Sequence, residues 1–469
     1  MNRPALLYGL FLVVILFLIG HVISILPFKA TITLILFLIF SFLTITNLEI
    51  GLLFLIFVVP FTQQITLIKL SRAPVHFGID DIIILCIMLS WLAGMIKRKE
   101  PAFLKTPLNW PFVAFFTICL FSFVGPQLKL SAYSIASNFR PETSTIAICA
   151  LHLFKFFEYV IIYFIVISAI NNLQQVKKYV LMFFIVTIFI AILQFIAIGS
   201  ISGFGLGLPM LSSDKIQLVM ASMQSFTSNS IMGAYYIFFV SITIAMILNT
   251  PKFQRKGNLI FLAVFLSFAL FNSFSRAAYL GLLASILVMA ILKKKRFFLI
   301  VLLLFIFSPI YLQAGVLERI TITIQNLHPT LVLDESAAIR LVIWKKALKI
   351  FLDNPFFGNG FWTTRYVLRN EAHSQYLSLL LEIGVIGLSV FFWLIIRMFK
   401  NAMFLFKKSE DYFMQSLALG YIAGLAGVMV TCFFSENFES FQLTGPLWFI
   451  TGLITSANRL LPKKPEGGG

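Results

Sequence analysis

Residues 331–388 read LVLDESAAIRLVIWKKALKIFLDNPFFGNGFWTTRYVLRNEAHSQYLSLLLEIGVIGL. This is the longest polar interruption in a chain otherwise made of bilayer-length apolar runs. It carries Asp, Glu, Arg, Lys, Trp, Tyr and a single histidine, His373, before re-entering an apolar helix. Unpaired polar groups in hydrocarbon cost several kcal/mol each, so a charged segment of this length stays outside the bilayer. The expectation is a site on the soluble side, scaffolded by the helices around it.

Composition agrees with that setting. Of 469 residues, 60% are apolar and only 12% charged, whereas a soluble domain needs a surface of roughly 25–35% charged residues. Repeated apolar runs of about 17–25 residues match a hydrocarbon core of ~30 Å, and they lack the alternation of barrel strands. The fold class is an all-α polytopic membrane protein with 12–14 transmembrane helices. The runs are 5–26, 30–46, 48–62, 77–96, 107–125, 149–170, 179–199, 227–249, 258–274, 277–292, 297–313, 375–398, 412–434 and 441–458. The short pair 30–46 and 48–62 either spans twice or re-enters, which sets the range. The divisions are a helical bundle over 1–313, an outer loop with short helices over 314–374, and C-terminal transmembrane helices over 375–461. Residues 465–469 look like a linker tail and are set aside. Met1 to Gly20 lacks a small-residue cleavage site and is expected to be a retained first helix.

The formal charge of +18 does not point to nucleic acid. Basic residues recur in short clusters between apolar runs: Lys97 to Lys99, Lys177-Lys178, Lys252 to Lys256, Lys293 to Arg296, Lys400 to Lys408 and Lys463-Lys464. Such clusters mark cytoplasmic loops. With both termini cytoplasmic, every cluster falls on that side. Four polar stretches then lie outside: Gln63 to His76, Pro126 to Ile148, Ser200 to Phe226 and Ala314 to Ser374. Arg276 sits at the outer end of its helix. Cys86, Cys119, Cys149 and Cys432 lie in or beside apolar runs and suit small core residues, not a disulfide or zinc framework.

Within the outer stretch, Ser336 with acidic neighbours favours a helix start. Pro355 stops that helix, and Gly358 and Gly360 make a turn. Leu341, Trp344, Leu348 and Phe351 repeat at three- and four-residue spacing, so the helix is amphipathic and lies on the membrane or packs on the bundle. A second helix is expected from about Glu371, with His373 in its first turn. Asp80 and Asp81 open another helix and read as caps.

The chemistry available outside is cationic: Arg276, Arg319, Arg340, Arg365 and Arg369, with His373 nearby. Guanidinium groups bind phosphate oxygens bidentately and stay charged when partly desolvated. A histidine can accept or relay a proton near neutral pH. The set suits group transfer from a lipid-pyrophosphate donor, whose leaving-group charge has to be stabilised. No metal or cofactor is called for. Taken singly, Arg276 also fits a snorkelling arginine, Arg340 a solvated helix face and His373 a satisfied interfacial residue. Glu382 lies within an apolar helix, where a carboxylate either functions or bonds to a neighbouring helix.

From Arg340 to Leu388 the chain resembles the bacterial O-antigen ligase and polymerase superfamily. The shared pattern is Arg340, Trp344, Asp353-Asn354-Pro355-Phe356-Phe357-Gly358-Asn359-Gly360, His373-Ser374-Gln375-Tyr376-Leu377 and Glu382-Ile383-Gly384-Val385-Ile386-Gly387. Ser275-Arg276-Ala277-Ala278 looks like the family's Ser-Arg motif, and Gly78 to Asp81 and Asn229 to Tyr235 are similar more loosely. The resemblance implies an inverting, metal-independent glycosyltransferase of the membrane glycosyltransferase C type. Its donor would be a glycan on undecaprenyl pyrophosphate at the outer leaflet of the inner membrane. Its acceptor would be a lipid such as lipid A–core, with membrane lipids around it and the active site periplasmic. Arg276 and Arg340 would hold the pyrophosphate and His373 would activate or position the acceptor hydroxyl. Arg365, Arg369, Tyr376, Glu382 and Asp353 are supporting candidates. One departure stands out: where family ligases often carry another Arg, this chain has Met220-Ala221-Ser222, with Lys215 the nearest cation. A polymerase joining lipid-linked repeat units would use the same residues. A flippase would place charges at the midplane and show paired halves, and no internal repeat is seen here.

Overall fold

The computed structural model describes residues 39–60, 66–69, 76–99, 104–137, 143–201, 229–250, 253–293 and 335–462. The helices are α1 Leu48–Val58, α2 Ile79–Arg98, α3 Asn109–Ser137, α4 Thr143–Ala169, α5 Leu173–Ile201, α6 Asn229–Asn249 and α7 Phe253–Phe271. They continue as α8 Arg276–Leu292, α9 Glu335–Asp353, α10 Thr364–Leu368, α11 Gln375–Lys408, α12 Tyr412–Thr431 and α13 Phe441–Leu460. A short antiparallel ribbon of β1 Thr66–Lys69 and β2 His76–Gly78 precedes α2. The chain is an all-α polytopic membrane protein. Among the described residues, five helices are long and apolar enough to cross a membrane: Ile148–Ala169, Leu173–Ile196, Ser230–Asn249, Gln375–Lys408 and Tyr412–Thr431. Shorter apolar helices accompany them. The expected runs 5–26 and 297–313 and most of the loop before residue 335 lie outside the described residues.

The helices pack through small residues, as bilayer-embedded helices do where backbones must approach closely. A Cβ on Gly420 or Gly424 of α12 would strike the α6 backbone at Ile242 (2.3 Å) or Phe238 (3.0 Å). One on Gly427 would strike Ser285 Oγ (2.2 Å) and Gly281 O (2.6 Å) of α8. α13 is buried from Phe441 to Ala457. Wrapped by other helices, it tolerates Gln442, Thr444, Thr451 and Thr455, which bond to backbone and to neighbouring side chains such as Tyr421 and Asn401.

The two ends of the bundle differ in charge. At one end lie Lys97, Lys105, Lys177, Lys178, Lys293, Lys407 and Arg459, with the ion pairs Lys177–Asp411 (2.6 Å, half-buried) and Lys178–Glu49 (2.6 Å). The opposite end carries the N-termini of α8, α11 and α13, together with α9 and α10.

Three local expectations need correction. Pro126 to Ile148, read as a polar stretch between apolar runs, is helical over 126–137 and 143–148, since α3 runs on to Ser137 and α4 starts at Thr143. The apolar run and the helix need not end together, because a helix can extend past the hydrocarbon. Asn47 breaks 30–46 from 48–62 by capping α1, its side chain accepting from Glu49 N. Asp81 does not cap; it is buried against Lys155 Nζ at 2.8 Å. On α9 the inward face is Ile343 and Ala347, with Trp344, Ile350 and Phe351 packed beside them. Leu341 and Leu348 of the expected stripe face outward, 43% and 48% exposed.

Candidate active site

The polar stretch after α9 is fastened to the middle of α11 by main-chain bonds. α11 breaks at Gly384, whose φ of 65° and ψ of −171° are not helical. Such a break leaves carbonyls before it and amides after it without intrahelical partners. The loop supplies them. Asn359 N donates to Leu381 O (2.6 Å) and Gly360 N to Glu382 O (3.1 Å). Val385 N and Ile386 N donate to Pro355 O (2.9 Å) and Phe356 O (3.3 Å). Ser122 of α3 adds its hydroxyl to Glu382 O at 2.5 Å. Only glycine fits at the contact: a Cβ on Gly358 would lie 2.5 Å from Glu382 C and O, and one on Gly384 2.3 Å from Phe356 O. The two glycine motifs are therefore one device that repairs a broken helix.

His373 lies in the chain between the two halves of that device. The residue stands ahead of α11, not in its first turn, because Ser374 takes the N-cap position with extended backbone and the helix starts at Gln375. His373 itself has φ 51°, a left-handed conformation that costs a non-glycine residue roughly 1 kcal/mol or more. Its neighbours are held on both sides. Ala372 O accepts from Trp344 Nε1 (3.0 Å), Ala372 N donates to Glu436 Oε1 (2.9 Å), and Gln375 N donates to Cys432 O (2.9 Å). The imidazole is 34% exposed, with Nδ1 3.8 Å from Glu371 Oε2.

Arg276 is the first residue of α8. Ser275 caps that helix by accepting from Ala278 N. A cation here adds to the positive end of the helix dipole, concentrating charge where an anion would be welcome. Gly233 of α6 lets this turn approach closely, since a Cβ there would sit 2.4 Å from Ala278 Cβ. Arg340 is half-buried on α9, one turn before Trp344. An almost wholly apolar cleft of about 510 Å³ opens between these helices. Its walls include Leu280, Leu283 and Leu287 of α8, Trp344 of α9, and Phe433 and Phe434. Leu280 and Trp344 each lie one helical turn beyond Arg276 and Arg340, on the same helix faces.

Residues 261–392 match the O-antigen ligase family. The match covers this stretch and not the rest of the chain. It runs from the middle of α7 to the middle of α11 and takes in Arg276, Arg340, the repaired helix and His373. The match supports the O-antigen ligase and polymerase superfamily and glycosyl transfer of that kind. No curated protein matches the chain.

Within and around the matched stretch the supporting candidates separate. Arg365 is already engaged: it pairs with Glu371 (3.1 Å) and Glu439 (3.4 Å) and lies over the Trp362 ring at 5.3 Å. Trp362 is stacked in turn on His152. Arg369 is exposed at the left-handed end of α10, and Asp353 is exposed at the end of α9. Tyr376 donates its hydroxyl to Met429 O (2.6 Å) and packs between Phe392 and Phe433. Glu382 is buried, its carboxyl facing Thr364 and the backbone of Trp362. Among the described residues, no three His, Cys, Asp or Glu side chains group as metal ligands.

Sequence reasoning passed over Glu436 and Glu439, which lie beyond the matched domain in the turn before α13. Burial pushes the Glu439 carboxyl well above its ordinary range, and nearby Glu436 and Glu382 push the same way against Arg365. The available signal was two carboxylates, Ser435-Glu436-Asn437-Phe438-Glu439, crowded into the short gap between the last two apolar runs.

Proposed function

We propose that this chain is an O-antigen ligase-type glycosyltransferase at the outer face of a bacterial inner membrane. It moves a glycan from undecaprenyl pyrophosphate to an outward-facing lipid acceptor such as lipid A–core. The carrying observation is the double role of Trp344. Its ring forms one wall of the apolar cleft opposite α8, and its Nε1 holds Ala372, the neighbour of His373. Leu280 of that cleft lies one turn from Arg276 and Trp344 one turn from Arg340, which supports a site drawing on Arg276, Arg340 and His373. The concentration of basic residues at the opposite end of the bundle supports reading that end as cytoplasmic and this cleft as periplasmic.

The cleft takes the polyprenyl chain and the two guanidiniums take the pyrophosphate. The acceptor hydroxyl attacks the anomeric carbon on the face opposite the pyrophosphate, so configuration inverts. The bond from that carbon to the phosphate oxygen breaks, and lipid pyrophosphate leaves with the electron pair. Arg276 and Arg340 neutralise the charge that develops on it. His373 accepts the hydroxyl proton, and its exposed position leaves room for an acceptor to approach. No metal is needed for this step.

The test is reconstitution of the purified protein in liposomes with a lipid-linked glycan and lipid A–core. Glycan joined to lipid A–core is expected, persisting in EDTA and lost in His373→Ala. Growth of lipid-linked ladders without lipid A–core would make it a polymerase. Translocation without transfer, retained in His373→Ala and Arg340→Ala, would make it a transporter.

A further inference from the structure

We propose that Glu436, contributed by the turn between α12 and α13, is the positioning residue that keeps His373 in place. The proposal rests on the role assigned to His373 above. One oxygen of Glu436 bridges the two sides of the histidine: Oε1 accepts from Ala372 N (2.9 Å) and from Ser378 Oγ in the first turn of α11 (2.7 Å). Two more bonds run between the same elements. Gln375 N donates to Cys432 O (2.9 Å), and Phe438 N donates to Gln375 Oε1 (2.9 Å). Ala372 is thus held at its amide by Glu436 and at its carbonyl by Trp344. Between these anchors His373 keeps a left-handed backbone, φ 51°, that an unrestrained residue would leave. A histidine meant to meet an acceptor hydroxyl within hydrogen-bond reach needs such an anchor, because small displacements are costly to rate.

The charged groups around Glu436 are Glu439 from the same turn, Glu382 from α11 and Arg365 from α10, the last paired with Glu371 and Glu439.

The experiment compares Glu436→Ala, Glu436→Gln and Ser378→Ala in full-length protein reconstituted in liposomes. Glutamine keeps the Oε1 acceptor. Glu436→Ala is expected to lower kcat by about 100-fold with the donor KM nearly unchanged. Glu436→Gln is expected to restore most of the rate. A Glu436→Ala enzyme with wild-type kcat, or one whose loss lies in donor KM, would overturn the proposal. If Glu436→Ala does not fold, Ser378→Ala decides, since it removes one bond to Oε1: a lowered kcat supports the anchor, and an unchanged one refutes it. A second readout is independent of activity. The rate at which diethyl pyrocarbonate modifies His373, followed by mass spectrometry, should rise in Glu436→Ala, or in Ser378→Ala where that replaces it; an unchanged rate would also refute the anchor. Should the wild-type protein transfer no glycan, the assigned function fails and this chemical readout alone judges the positioning.

Discussion

The two ends of the helical bundle handle charge in opposite ways. At the basic end, charges meet in one-to-one pairs such as Lys177–Asp411 and Lys178–Glu49. The helix starts there are ordinary: Asp411 caps α12 by accepting from Phe413 N and Met414 N. Burial would raise the Asp411 carboxyl, yet Lys177 and these amides hold it below its usual range. At the other end, Arg365 is shared by Glu371 and Glu439, with Glu436 and Glu382 close by. Four of the five described non-glycine residues with positive φ, namely Phe274, Trp362, Arg369 and His373, are also there; Lys99 is the exception. One end is built to stay soluble. The other stores strain and unbalanced charge, the usual marks of a working site.

Substitutions should expose that contrast in order of size. His373→Ala should lower kcat by roughly 10³-fold, and Arg276→Ala or Arg340→Ala should lower kcat/KM by about 10²–10³-fold. Lysine should restore only part of this, since it lacks the bidentate fork. Transfer assays on liposomes measure all of these, and full activity in the alanine variants would erase the functional half of the contrast. Gly384→Ala comes next. Its Cβ would be driven into Phe356 O at positive φ, so a loss of more than about 3 kcal/mol is expected, read as a lowered thermal midpoint in detergent. A midpoint close to wild type would mean that the loop does not repair the helix.

Glu439→Gln should act through pH. The unfolded chain releases this proton near the ordinary value of 4.5, whereas the folded chain holds it to higher pH. Between those values the native state binds more protons, so stability falls as pH rises toward the raised value. Glutamine cannot lose the proton and should shallow that fall; parallel midpoint-versus-pH curves would contradict the buried carboxyl. The smallest effect belongs to the basic end. Lys178→Ala should cost no more than about 0.5 kcal/mol, and a larger loss would remove the distinction between the two ends.

Much of the fold was legible because a bilayer dictates helix length, which fixed α4, α5, α6, α11 and α12 from hydropathy alone. Legibility failed where helices leave hydrocarbon, as at Pro126 to Ser137, where nothing forces an end. It failed again for His373, where an acidic residue suggested a helix start but Ser374 was the better cap. Arg276, Arg340 and His373 stood out through motif resemblance, not through residue type. Gly358 and Gly384 could be read as turn and kink, yet their mutual contact is tertiary. Glu436 and Glu439 became visible only once the last turn was seen gripping α11. Lys155 lies in an apolar run, and its partner Asp81 is far away in sequence, so Asp81 read as a cap.

The repaired helix has a consequence for biogenesis. The turn that mends α11 is translated before it, so the broken segment leaves the ribosome with its patch already made and can enter the membrane without later sequence. The turn carrying Glu436 comes afterwards, behind α12. A nascent chain thus has the partners of its broken helix first and the backbone anchors of His373 last, when the closing hairpin inserts.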